Sequence, residues 1–452
     1  MRRRTLLLIT CILCLASVAF TVRSTLPNPI TSPDGSGTLS TYSTSGPIDV
    51  TTPFFQSLGT NGRTCNSCHV SSNAWTISPE EVQTRFNSTN GTDPIFRTVD
   101  GANCPSADVS TLAARKLAYS LLLNKGLIRI SLPVPATADF QITDIQDPYT
   151  CAQTTSTQPA MYRRPLPSTN IPFLTTVMWD GRESPKGRSL EANLLQQAID
   201  ATSGHAEGAV TPSAPQLQQI VAFETALYTA QSTDKGAGAL NARGAMGGAN
   251  NLSTQEFYVG INDVLGADPN GRPFDSKAFT TYDKWTDSPT PQKAAIARGQ
   301  DLFNTFPITI TGVAGLNDIP GLSTVNGTCT TCHDSPNVGN HSVPLAINIG
   351  ITDYPAVSAL DISGLPVYTV QCNATGATVQ TTDPARAMVT GKCADVGKTK
   401  GPVLRALSAR APYFHNGAAK TLDDAVEFYN QRFLLGFTDQ QKKDLVAFLK
   451  TL

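Results

Sequence analysis

The chain has 452 residues with 34 Lys plus Arg against 35 Asp plus Glu, long enough for two or three domains and too nearly neutral to be a nucleic-acid binder, whose footprint is a basic excess. Charged residues make up 15% of the chain, below the roughly 25% of an average soluble domain, which excludes a coiled coil and a charged disordered tail. The distinctive count is ten cysteines, a number that points to disulfide, metal or redox chemistry.

At the start, Arg2, Arg3 and Arg4 precede an apolar run over 6–20, the basic head and short core of an export signal, and Ser17-Val18-Ala19 offers small residues for cleavage. A signal peptide over 1–19 and a periplasmic mature chain are expected. The run is shorter than the ~20 residues of a membrane span, so the membrane is a partner only if the signal stays uncleaved. Residues 20–53 are rich in Ser, Thr, Pro and Gly without an apolar period and read as a flexible lead-in. A first folded region follows over 54–230. In it Leu112, Leu117, Leu121 and Leu122 predict a helix closed by Gly126, residues 127–132 a short strand, and Leu217, Ile220, Val221, Leu227 and Tyr228 a further helix. Residues 231–290 carry a Gly-rich stretch and read as a connection. The second folded region, 291–452, opens with a helical pattern and ends in two helices begun by Thr421 and Thr438, the latter with Gln441 completing a capping box. The fold class this implies is mainly α, with long irregular inserts.

Cys11 and Cys14 belong to the signal. Four of the remaining cysteines stand in two identical frames, Cys65-Asn66-Ser67-Cys68-His69 and Cys329-Thr330-Thr331-Cys332-His333. C-x-x-C-H is the spacing of c-type haem attachment: two thiols form thioethers and the adjacent His reaches the iron. Zinc also uses C-x-x-C, but each frame supplies three of the four ligands of a structural site. Two covalent haem c groups are therefore expected, with His69 and His333 as proximal ligands. Cys104, Cys151, Cys372 and Cys393 are left, an even number that reads as disulfides in an exported chain; local pairing, Cys104 with Cys151 and Cys372 with Cys393, is one of three arrangements. Three further histidines remain, His205, His341 and His415, of which His341 lies in a polar loop and is expected to be exposed.

The stretch 401–429, reading GPVLRALSARAPYFHNGAAKTLDDAVEFY, together with Trp179-Asp180-Gly181-Arg182 and both haem frames, resembles the bacterial dihaem cytochrome c peroxidase and MauG superfamily. The resemblance covers most of 55–452, with extra material near 87–160, 231–290 and 343–380. It implies two cytochrome c-like haem domains: an N-terminal one that binds hydrogen peroxide and a C-terminal one that takes or stores electrons. Trp179 matches the family's tryptophan between the haems, although as a lone residue it reads first as an ordinary core aromatic. The second axial ligand of the C-terminal haem falls sixteen residues after Tyr413, on Tyr429. It is Met in the peroxidases and Tyr in MauG; the plain alternative is that Tyr429 packs on its helix face. Arg405 and His415 match positions that bond haem propionates or hold structure. His205 is the candidate acid-base group over the peroxidatic haem, with distal ligation or a solvent-facing role also open. Arg164 stands where the family has an Asn that contacts calcium, which puts a calcium ion in doubt. The partners implied are hydrogen peroxide and a small redox-protein donor, or a protein or organic substrate in a MauG-like reaction. A dihaem oxygenase of the rubber-cleaving type and a non-enzymatic electron carrier are the other readings.

Overall fold

A computed structural model describes residues 24–452; the expected signal peptide over 1–19 lies outside the described residues. Helix accounts for 29% and strand for 17% of the described residues, so the fold is mixed α/β and the expectation of a mainly α protein is corrected. The strands were hidden in segments that look like polar insert. Tyr368–Cys372 and the first residues of Phe140–Gln146 alternate Thr or Gln with apolar residues at a period of two, whereas Gly37–Ser43 is Thr- and Ser-rich with only Leu39 and Tyr42 as large apolar or aromatic residues; β-branched and aromatic side chains of that kind suit a half-buried pleated surface.

The reading of 20–53 as a flexible lead-in is corrected for its described part. Strand Gly37–Ser43 lies between Ile30–Pro33 and Leu227–Asp234 in an antiparallel four-stranded sheet, with Tyr42 opposite Tyr228. Leu39 and Thr41 are buried, and Thr41 and Thr229 join hydroxyls at 2.9 Å. Nor are residues 231–290 a loose connection. Phe279, Tyr282 and Trp285 pack with Phe303 of helix Pro291–Thr305 and Phe448 of helix Asp439–Leu449 in the largest apolar core. These two helices cross closely at Gly299, where a Cβ would meet the Asp444 carbonyl, so only glycine fits there.

Helix starts obey local rules. Ser78, Ser189, Thr421 and Thr438 each accept a backbone N–H of the first turn. The Leu112 pattern yields two short helices, Leu112–Ala118 and Ser120–Lys125, interrupted at Tyr119 and closed by Gly126 at φ +62°. The helix carrying Leu217, Ile220 and Val221 ends at Ala226, and Leu227 and Tyr228, expected to continue it, start a strand instead. The extra segments near 87–160 and 343–380 combine: Phe140–Gln146 and Thr378–Thr381 flank Val367–Cys372 in one sheet, over a core containing Ile142, Met161 and Tyr368. Disulfides Cys104–Cys151 and Cys372–Cys393, each with Cα atoms 5.6 Å apart, staple this region. No helix among the described residues is long and apolar enough to cross a membrane.

Candidate functional site

Each C-x-x-C-H frame forms a single helical turn, Cys65–Ser67 and Cys329–Thr331, held by a capping box from Thr64 or Thr328. The turn aims both thiols and the following imidazole at one cavity. Cys65, Cys68 and His69 line the first cavity; Cys329, Cys332 and His333 line the second. The empty volumes, with the open mouths included, are about 1590 and 1660 Å³.

The two histidines are held alike. His69 donates Nδ1–H to the Trp75 carbonyl at 2.9 Å, with Ser168 Oγ also at 2.9 Å, and His333 donates Nδ1–H to the Gly339 carbonyl at 2.6 Å. A carbonyl only accepts, so the proton sits on Nδ1 and the lone pair on Nε2 is left for a ligand. Burial pushes the His69 imidazole down to about 4, against its bond to Trp75, and lowers His333 in the same way; both stay neutral. The four frame thiols are free of disulfides, and burial pushes Cys65, Cys329 and Cys332 up to about 12. They are therefore unlike low-pKa redox cysteines. Among the described residues no group of three His, Cys, Asp or Glu side chains is placed to hold a metal ion. Thiols, a fixed tautomer and an apolar cavity beside each turn fit a haem c at both frames.

The first cavity also holds His205, which ends helix Leu190–Gly204. Its Nδ1 donates to Asp100 at 2.5 Å, and Arg63 binds the other oxygen of Asp100 at 2.5 Å and the His205 carbonyl at 3.0 Å. Burial opposes ionisation of Asp100, yet His205 and Arg63 hold its carboxyl below the usual range. His205 thus has an oriented ring, with Nε2 as the nitrogen left to act. Glu224 lines the same cavity, where burial pushes its carboxyl up to about 7 against a Ser168 hydrogen bond. Asp100, Ser168 and Glu224 escape the sequence reading because they carry no motif and meet the histidines only across long stretches of chain.

The second cavity takes Tyr429 from helix Leu422–Arg432, with its ring centroid 6.5 Å from that of His333. Tyr429 also touches Phe414, Phe428 and Phe433, so it is both a packed aromatic and a cavity wall. His415 lines this cavity and stands 3.4 Å from Asp383 without hydrogen-bond geometry. Arg405 lines neither cavity; it donates to the Asn337 carbonyl at 2.6 Å and covers the Phe279 ring. His341, expected to be exposed, is only 5% exposed and lines the second cavity, because the loop after His333 folds inward.

Trp179 belongs to the walls of both cavities. Its indole N–H donates to the Arg164 carbonyl at 2.8 Å, and its ring lies 6.0 Å from His415. The neighbouring Asp180 takes Arg163 at 2.5 Å and Arg182 at 3.1 Å, while Arg163 binds Asp383 through two bonds of 2.7 and 2.9 Å. Arg164, at the place the resemblance gives to a calcium contact, is buried and donates to three backbone carbonyls, those of Lys125, Ile77 and Arg410.

No family profile matches the chain. Among curated proteins it is 35% identical over 144 residues to cytochrome-c peroxidase IdrP2 of Denitromonas iodatirespirans, a match covering 28% of this chain and 37% of that protein. Cytochrome c551 peroxidase of Nitrosomonas europaea is 31% identical over 143 residues, covering 30% and 34% of the two chains. The matched part is thus about a third of the length of these relatives. A crystal structure of a MauG-like protein associated with microbial copper homeostasis aligns over 94% of both chains with 16% identity and a TM-score of 0.39. With the two C-x-x-C-H frames and the APYFHNG stretch, the chain is thus similar to bacterial cytochrome-c peroxidases over about a third of their length.

Proposed function

We propose that this chain is an exported dihaem c-type oxidoreductase that activates hydrogen peroxide in its first cavity and supplies or stores electrons in its second. The observation that carries this reading is the pair of C-x-x-C-H turns, each beside its own cavity, on either side of Trp179. Cys65 and Cys68, and Cys329 and Cys332, would form the thioether links, with His69 and His333 as the axial nitrogens. Bound haem c supplies the one-electron redox centre and an iron that accepts ligands.

The chain's own part is proton handling, orientation and exclusion of water. Cleaving a peroxide O–O bond requires a proton to leave one oxygen and reach the other. His205 Nε2 is suited to that transfer, since Asp100 holds Nδ1 and fixes the ring. The apolar walls, including Leu194 and Ile220 in the first cavity, keep bulk water from competing. Trp179, common to both walls, offers the short path for charge between them.

The test is to mix the purified holoprotein with one equivalent of hydrogen peroxide, with and without a reduced small c-type cytochrome, and to follow both optical spectra. Rapid donor oxidation supports the proposal. An unchanged spectrum overturns it and returns the protein to the class of electron carriers.

A second reading, MauG-like oxidation of a protein or organic substrate, is favoured by Tyr429 at the second cavity. A phenolate is a harder, more anionic donor than a thioether and lowers the potential of the iron it binds. Tyr429→Phe is expected to alter the optical and electron-paramagnetic spectrum of the C-terminal haem alone; an identical spectrum would make Tyr429 a packing residue.

A further inference from the structure

Buried cations in proteins are paired with anions, because an isolated charge in a low-dielectric interior is costly. This protein follows the rule at Arg63 with Asp100, at Arg163 with Asp180 and Asp383, and at Lys398 with Asp318 and Asp395. On the wall common to the two cavities it does not. Arg164 and Lys400, 5% and 6% exposed, and the partly buried Arg410 line both cavities. Among the described residues no carboxylate faces any of them; the one ionisable partner of opposite tendency is the Tyr413 hydroxyl, which is neutral and donates to the Leu407 carbonyl.

What holds these side chains is uncharged. Arg164 donates to carbonyls at 2.8, 2.6 and 3.2 Å, and Arg410 to the Val403 carbonyl at 2.6 Å, while Arg410 Nε is buried with no partner. Lys400 is fixed by its backbone, whose N–H donates to the Trp179 carbonyl at 2.9 Å, and its ammonium lies 5.9 Å from the Trp179 ring. Burial pushes Arg410 down to about 10, and burial with repulsion from Arg410 pushes Lys400 to about 8 and Arg164 to about 9. The arrangement is incomplete without negative charge, and that charge must enter from the cavities because no protein carboxylate supplies it.

We infer that Arg164, Lys400 and Arg410 form one carboxylate site shared by both cavities, which holds propionate arms of both macrocycles against the Trp179 wall. The inference rests on the functional reading above. The ligand is defined by chemistry: an apolar body to fill the cavity and an anionic arm to meet the cations. Arg suits this role because its fork bonds carboxylates in pairs. A consequence follows for electron transfer. One cluster of positive charge acts on both redox centres, favouring the added electron at each, so the two potentials are tied to the same residues.

The experiment is a spectroscopic redox titration of the parent, Lys400→Met and Lys400→Arg holoproteins, after the covalent haem content of each has been measured. Both midpoint potentials are expected to shift negative together in Lys400→Met and to return towards the parent values in Lys400→Arg. Arg410→Gln, which loses an Nε that no protein group engages, provides a second route if Lys400→Met fails to fold and is expected to shift both potentials in the same direction. Potentials that stay put, or a shift at one centre only, overturn the shared site while leaving the functional reading intact. A chain that acquires no thioether-linked haem overturns the functional reading itself.

Discussion

At the residue scale, the His205 ring is held by Asp100, 105 positions away in the chain. The carboxylate fixes which ring nitrogen carries the proton and is itself held ionised by Arg63. His205→Gln is therefore expected to slow the reaction with peroxide by about 10²–10⁴-fold, the usual worth of a general acid-base group, with haem content unchanged, as measured by stopped-flow absorbance. Asp100→Asn should slow it too and also destabilise the fold, since it leaves Arg63 buried with no counter-charge, a loss of about 3–5 kcal/mol. Glu224 behaves in the opposite sense. Its folded pKa is raised to about 7 by burial, so between ~4.5 and ~7 the folded chain holds a proton that the unfolded chain has released, and stability falls as pH rises through that window. Glu224→Gln removes this dependence. It should be more stable than the parent by up to ~3 kcal/mol above neutral pH and no more stable at pH 4, as read from denaturant unfolding at the two pH values.

At the scale of elements, the C-x-x-C-H turns were legible because they are local: thiol, thiol and imidazole within five residues, on one turn of backbone. The caps at Thr421 and Thr438 and the stop at Gly126 were legible for the same reason. The strands were not. A Ser- and Thr-rich segment such as Gly37–Ser43 becomes a strand only when Leu227–Asp234 lies beside it to accept its hydrogen bonds, and nothing within the segment names that partner. The result matters to the site, for Thr41 on this strand accepts the indole N–H of Trp75 at 3.0 Å, and the Trp75 carbonyl holds His69. The insert sheet depends on pairing across the chain as well, and its disulfides limit the freedom of the unfolded state. Replacing Cys372 and Cys393 together by Ser is expected to cost about 3 kcal/mol, seen as a lower midpoint in thermal unfolding with the haem spectrum intact.

At the scale of the whole molecule, Arg163 ties the first half of the chain to the second. It joins Asp180, beside Trp179, to Asp383, which comes after the insert sheet. Burial alone would raise both carboxyls, but Arg163 holds them below the usual carboxylate range. The stability they contribute is present above pH ~4, the ordinary aspartate range, and is lost as pH falls through their depressed folded values. Arg163→Met strands two buried carboxylates and should cost about 3–5 kcal/mol at neutral pH. In acid those carboxyls protonate and the deficit narrows, which unfolding curves at pH 7 and pH 3 would reveal; an equal deficit at both would place the effect in packing.

The sequence by itself determined the local chemistry: two C-x-x-C-H turns, the partition of cysteines between free frame thiols and disulfides, and the likeness to cytochrome-c peroxidases. Each of these depends on residue type at short spacing, where the chain alone sets the geometry. Only the tertiary structure decided what surrounds that chemistry. It supplied the partner of His205, turned His341 inward, kept Arg405 off both cavities, and gathered Arg164, Lys400 and Arg410 on one wall from distant parts of the chain. Those contacts are long-range, and their energies come from burial and charge pairing that exist only once the core has closed.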